Sequence, residues 1–226
     1  MGLRDYTIYD MICRNAALFP DRECLVFNDT RMTHRQYKEK CDQLAAGLHQ
    51  TGFAAGDRLA VMAHNCDEFV ILYGAAAKTG TIVVPVNWRF TREEAAYVFK
   101  DAAPAAVFAG ADYQQMVREL QPDLQVQHLY TIGGGAAAEG FTPFDALYAT
   151  PADTADPAVD GNSPYVIIHT AAVEGRPRGG VLSQNNIFAT NLEMMASEGL
   201  NEEACHICIL PLFHIAGLAR LMGAMH

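Results

Sequence analysis

The sequence predicts an α/β fold in which mostly parallel sheets are flanked by helices. Three observations carry this reading. Short apolar runs and amphipathic helical stretches alternate along most of the chain. The apolar runs are continuous rather than alternating, as strands covered on both faces are. Helix start and stop residues recur at the junctions between them.

The elements follow in order. Thr7 caps a first helix whose apolar face is Ile8, Met11, Ile12, Cys13 and Ala16, and Pro20 ends it. Glu23–Phe27 reads as a strand, with Asn28-Asp29 turning the chain into Arg31-Met32. Thr33 and Gln36 have capping-box spacing, and Tyr37, Cys41, Leu44, Ala45 and Leu48 follow at helical intervals until Gly52. After the Gly56-Asp57 turn, Leu59–Ala63 is a buried strand, and Asp67 starts a helix through Phe69, Leu72 and Ala76 to Gly80. Thr81–Val84 is a strand closed by Pro85. Thr91 and Glu94 open a helix to about Asp101. Ala105–Ala109 is a strand, Tyr113–Leu120 a helix and His128–Ile132 a strand. Gly133–Gly140 and Thr150–Pro164 read as surface connections. Tyr165–Ile168 is a buried strand. Ser183 caps a helix over Gln184–Glu198 with Ile187, Leu192 and Met195 apolar, and Gly199 closes it. Cys205–Leu210 is expected as a core strand.

Composition narrows the function. The formal net charge is −10 and no basic cluster occurs, which argues against nucleic acid and anionic membranes as partners. The apolar runs are too short for a membrane span. The start, MGLRDYTIYD, lacks the apolar core of a signal peptide, and no Ser or Thr follows Met-Gly where myristoylation needs one. Six scattered cysteines without framework spacing suggest reduced thiols in a cytoplasmic protein. Cys205-His206-Ile207-Cys208 has no second ligand pair, so no metal site is expected there.

The chemistry concentrates in His169–Gly180, HTAAVEGRPRGG, which is expected to link the strand before it directly to the helix after it. Backbone N–H groups of such a turn, a helix N-terminus and two arginines together suit a phosphate. The same residues also read as a surface loop that uses Gly and Pro to turn and Arg for solubility. A second segment, LPLFHIAGL over 210–218, is a strand end, a proline turn and the start of an apolar helix. Taken alone, its histidine reads as a core residue.

Together these segments resemble the adenylate-forming superfamily, which includes acyl-CoA synthetases. Its phosphate loop usually reads aromatic-Thr-Ser-Gly-Thr-Thr-Gly-x-Pro-Lys-Gly. Thr170, Gly175, Pro177 and Gly179 match, and Arg178 keeps the charge of the lysine. His169 replaces the aromatic residue. Ala171, Ala172 and Val173 replace Ser, Gly and a hydroxyl residue, and Glu174 replaces Thr. Hydroxyl donors thus leave the centre of the loop and a carboxylate enters, repulsive to a triphosphate unless a metal ion or an arginine neutralises it. The second segment resembles the family's Pro-Leu-Phe-His-x-x-Gly motif through Phe213, His214 and Gly217. Gly56-Asp57-Arg58, Asn65 and Pro85-Val86-Asn87 extend the likeness over nearly the whole chain.

The resemblance implies carboxylate adenylation by ATP with Mg²⁺, then thioester formation with coenzyme A, the substrate being a small-molecule carboxylic acid. In that scheme the 170–179 loop holds phosphates, with Arg178 adding charge, and Phe213, His214 and Gly217 shape the carboxylate pocket. Family members continue well past the position of His226, so the chain is expected to be an N-terminal fragment without a complete catalytic set. The alternative is a non-catalytic relative that binds an acyl group or a partner. A homo-oligomer is compatible with the apolar surface that a fragment exposes.

Overall fold

In the computed structural model of the protein, residues 6–151, 158–170, 177–201 and 203–226 are described. Helix α1 (Ile8–Leu18) starts at a capping box between Thr7 and Asp10. Strands β1 (Glu23–Phe27) and β2 (Thr30–Thr33) form a separate antiparallel hairpin. Helix α2 (His34–Thr51) begins at the expected Thr33–Gln36 box and ends on Gly52 in the left-handed region. Then come β3 (Arg58–Met62), α3 (Asp67–Thr79), β4 (Ile82–Pro85), α4 (Arg92–Ala102), β5 (Ala106–Ala109), α5 (Gln114–Leu120) and β6 (His128–Thr131). A two-residue β7 (Thr142–Pro143), β8 (Pro164–His169), β9 (Gly179–Ser183), α6 (Gln184–Glu198) and α7 (Ile215–Met225) complete the described elements.

The main sheet runs β7-β6-β5-β3-β4-β8-β9. Its neighbours are parallel except β8 and β9, which are antiparallel. The fold is therefore α/β with a mostly parallel sheet, as the apolar strands imply. Helices cover both faces. One core layer joins α1, α2, α3, α6 and α7 through residues such as Leu44, Phe69, Ile187 and Met222. The other joins α4 and α5 through Val98, Phe99, Val117 and Leu120.

Two details fix the packing. The Gln184 side chain, almost fully buried, accepts from the Ile8 N–H at 2.7 Å and donates to the Ala77 carbonyl at 3.1 Å. It thus satisfies one of the free N–H groups at the start of α1 while tying α6 to α3. Gly47 of α2 lies against the 3₁₀ turn Phe144–Leu147; a Cβ there would come 1.5 Å from the Leu147 carbonyl oxygen.

Three expectations need correction. The chain does not pass directly from the 169–180 stretch into a helix. Gly179–Ser183 turns back as an edge strand, pairing Ile167 with Val181 and His169 with Gly179. Its glycines hide the strand signal in the sequence. Second, Leu192 does not face the core but is 56% exposed; Phe188, Asn191 and Met194 point inward instead. Third, Cys205–Leu210 is no core strand. Ile207 and Ile209 are 79% and 80% exposed, and no described strand pairs with the segment. An extended run without a neighbour's N–H and C=O groups gains no ladder.

Candidate functional site

Three neighbouring strands of the sheet, β3, β4 and β8, release their chains at the same end, where ligands bind in open parallel sheets. Strand β3 leads to His64 and Asn65, β4 to Asn87, Trp88 and Arg89, and β8 to residues 170–178. The Thr170 N–H donates to the Arg178 carbonyl at 3.0 Å. Thr170, Arg178 and Gly179 are exposed and Pro177 is buried. Ala171, Ala172, Val173, Glu174 and Gly175 lie outside the described residues. His169 is bound into the fold: its Nε2 lies 3.0 Å from Asp101 Oδ2 at the end of α4, and its side chain is 2% exposed. Its Nδ1 has no partner among the described residues.

The 210–217 segment is set by backbone chemistry. Asn65 Nδ2 donates to the Leu210 carbonyl at 2.9 Å, and its Oδ1 accepts from the Leu212 N–H at 2.8 Å. The Tyr73 hydroxyl donates to the Leu212 carbonyl at 3.0 Å, and the Tyr165 hydroxyl of β8 donates to the Tyr73 carbonyl at 3.0 Å. Both tyrosines are fully buried, and burial pushes both phenols well above their ordinary pKa. They act as neutral donors. The turn then folds into α7, with the Gly217 N–H donating to the His214 carbonyl at 2.9 Å. Gly217 is demanded by proximity: a Cβ would meet the Pro211 carbonyl oxygen at 2.1 Å and that of Leu210 at 3.0 Å.

His214 is the N-cap of α7, and its Nδ1 accepts the Ala216 N–H at 3.2 Å. In the neutral ring the proton therefore sits on Nε2, which is left as a donor from an exposed side chain. A hydrogen-bond donor beside a helix N-terminus suits a carboxylate. Phe213 meets Trp88 edge-on, with ring centroids 6.2 Å apart. Trp88 in turn packs against His64 at 4.4 Å, with the Arg89 guanidinium 4.2 Å from its ring centroid. Tyr113 closes the group, its hydroxyl 2.9 Å from His64 Nε2. Burial and the Asp112 carboxylate hold that phenol above its ordinary pKa, against an opposing pull from Arg89.

The structure thus joins Phe213 and His214 to His64, Trp88, Arg89 and Tyr113, four residues that the motifs do not mark. Their signal was positional: each follows the C-terminal end of β3, β4 or β5. Among the described residues no hydrogen bond or ring contact links β8 or β9 to Phe213 or His214. A cleft of about 920 Å³ lies behind this segment, lined by Leu18, Val26, Ile207 and Met225, and reaches Asn65 and Leu212 but not His214.

Residues 12–226 match the family described as AMP-binding enzyme. The chain belongs to this family. Its relatives agree with that placement. A crotonobetaine/carnitine–CoA ligase of Salmonella typhi is 27% identical over 210 residues, 88% of this chain and 41% of the relative. A crystal structure from Rhodopseudomonas palustris CGA009, provisionally designated a long-chain-fatty-acid CoA ligase, is 40% identical. It superposes with a TM-score of 0.90 over 99% of this chain and 56% of that one. The o-succinylbenzoate CoA synthetase of Bacillus subtilis, solved with ATP and magnesium ion, shares the fold at 20% identity. There the TM-score is 0.78 over 95% of this chain and 54% of that one. The chain spans less than half the length of the curated relatives it matches. Among its described residues no helix is long and apolar enough to cross a membrane.

Proposed function

We propose that the protein to which this chain belongs is an AMP-forming acid–thiol ligase, with residues 1–226 the N-terminal part of its AMP-binding domain. The observation that supports this is the contact of Phe213 with Trp88 just past the end of β4, next to β8, which leads to residues 170–178. In the first half-reaction a carboxylate oxygen attacks the α-phosphorus of ATP and pyrophosphate leaves. In the second, the coenzyme A sulfur attacks the acyl carbon and AMP leaves. His214 Nε2–H donates to the substrate carboxylate and orients it, Phe213 walls the acid, and Thr170, Gly179 and the Arg178 charge hold phosphate oxygens. Mg²⁺ bound with ATP screens phosphate charge. The fatty acyl class is favoured by the designation of the 40% identical R. palustris protein.

The test is acid-dependent ATP–pyrophosphate exchange by the product of the whole reading frame that contains these residues, over a panel of fatty and short acids. AMP release requiring both an acid and coenzyme A supports the reading, and exchange indifferent to every acid sinks it. The isolated 226 residues are expected to show no exchange above the acid-free background, because they are less than half of what the relatives use. Labelled pyrophosphate entering ATP in that preparation would refute the expectation.

The sequence of the turn favours a second reading, a binding protein with a weakened nucleotide site, since Ala171, Ala172 and Val173 supply no hydroxyls and Glu174 adds a carboxylate. A carboxylate a few ångströms from a phosphate costs up to about 4 kcal/mol at an effective dielectric near 20, and exposure and salt reduce that. Glu174→Thr is accordingly expected to tighten ATP binding about ten-fold in calorimetric titration, worth about 1.4 kcal/mol. Loss of MgATP affinity with metal-free ATP unchanged would instead make Glu174 a metal ligand.

A further inference from the structure

We propose that Asn65 is the positioning residue of the Phe213–His214 segment, setting where that segment presents its donor to the acid. What the segment binds rests on the ligase reading; the clamp itself does not. Pro211 has no N–H, so the turn it starts cannot satisfy itself at that position. Its flanks leave a carbonyl at Leu210 and an N–H at Leu212. A carboxamide is the side chain that offers a donor and an acceptor side by side. Asn65 uses both, at 2.9 Å and 2.8 Å, across the fold from the end of β3.

The neighbouring residue completes the grip. His64 packs on Trp88, and Trp88 meets the Phe213 ring, so consecutive residues hold the backbone and the side chain of one segment. Tyr73 adds a third bond, its hydroxyl donating to the Leu212 carbonyl at 3.0 Å. From the clamped residues the chain closes through the His214 N–H on the Pro211 carbonyl at 3.1 Å. The position of the imidazole thus depends on the two bonds to Asn65, which hold both flanks of Pro211.

Trp88 is the one tryptophan of these 226 residues and sits against Phe213, so its emission and near-ultraviolet circular dichroism in the 226-residue chain report on the segment. Asn65→Asp keeps an acceptor for Leu212 but turns a carboxylate oxygen toward the Leu210 carbonyl; Asn65→Ala removes both bonds. Phe213→Leu serves as the reference for a lost ring contact. Both Asn65 variants should shift the Trp88 signal in the direction of that reference, with far-ultraviolet dichroism unchanged. Leu212 amide exchange should rise at least ten-fold, and that of Leu44 in the core should not. In the product of the whole reading frame, KM for the acid should rise about ten-fold while KM for MgATP stays within two-fold. An unchanged Trp88 signal with unchanged Leu212 exchange would overturn the clamp. So would a parallel rise of both KM values, which marks a merely structural role. If the optical and exchange changes appear but the wild-type protein turns over no acid, the clamp stands and the ligase reading falls.

Discussion

Gly217→Ala should destabilise the protein by about 3 kcal/mol and displace His214. The sign is informative. At the third residue of α7 alanine is the better helix former by about 1 kcal/mol, so propensity alone would give a gain. The added methyl, however, would sit 2.1 Å from one carbonyl oxygen and 3.0 Å from another. Neither belongs to a flexible side chain. Either α7 lifts from the Leu210–Pro211 turn or the turn moves against the Asn65 clamp. Both routes carry the histidine away from its place. Urea unfolding followed by far-ultraviolet dichroism measures the loss. An unchanged midpoint would show that the approach of helix to turn is looser than described. The Gly of the Pro-Leu-Phe-His-x-x-Gly pattern is thus a spacing device, which a motif read as chemistry alone does not reveal.

Gly47→Ala is expected to cost at least as much, about 3 to 4 kcal/mol, a large share of a typical total of about 5–15 kcal/mol. A Cβ at this position would lie 1.5 Å from the Leu147 carbonyl oxygen, so α2 and the 3₁₀ turn must separate. That separation opens the layer where Phe144 packs edge-on against Phe108, with ring centroids 5.9 Å apart. Helix propensity again pulls the other way by about 1 kcal/mol. Differential scanning calorimetry should show a lowered Tm, and a raised one would sink the argument. Trp88 makes its ring contacts with His64, Arg89 and Phe213 and none with Gly47 or Leu147, so any folded Gly47→Ala protein should keep the Trp88 emission of the wild type.

Local signals were legible in the sequence and non-local ones were not. Thr7, Thr33, Thr91 and Ser183 cap helices as expected, Thr33 and Thr91 through the spacing of a capping box, because such a cap closes within four residues. Gly52, Gly80 and Gly199 end helices in the left-handed region, again a property of one residue. Strand pairing depends on partners far along the chain. For that reason β9 went unseen behind its glycines, and Cys205–Leu210, with every local mark of a strand, has no described partner. Leu192 and Asn191 exchange roles for a similar cause, since which side of α6 is buried is decided by α7 and not by α6 itself. At the site, motifs located Phe213 and His214. His64, Trp88 and Tyr113 are ordinary residues until three strand ends meet.

The bare 205–210 run has a consequence for handling the protein. Cys205, Ile207 and Ile209 face solvent while His206, Cys208 and Leu210 are half covered, giving a short, uncharged, β-prone stripe of the kind that seeds self-stacking. At neutral pH a net charge of −10 keeps copies apart, and screening by salt weakens that repulsion. Mild acid removes it where protonation of carboxylates brings the net charge to zero, and the exposed isoleucines are then no longer held apart. Colloidal stability, and with it shelf life at high concentration, is thus set by pH and ionic strength acting on the charges around the stripe rather than on its isoleucines.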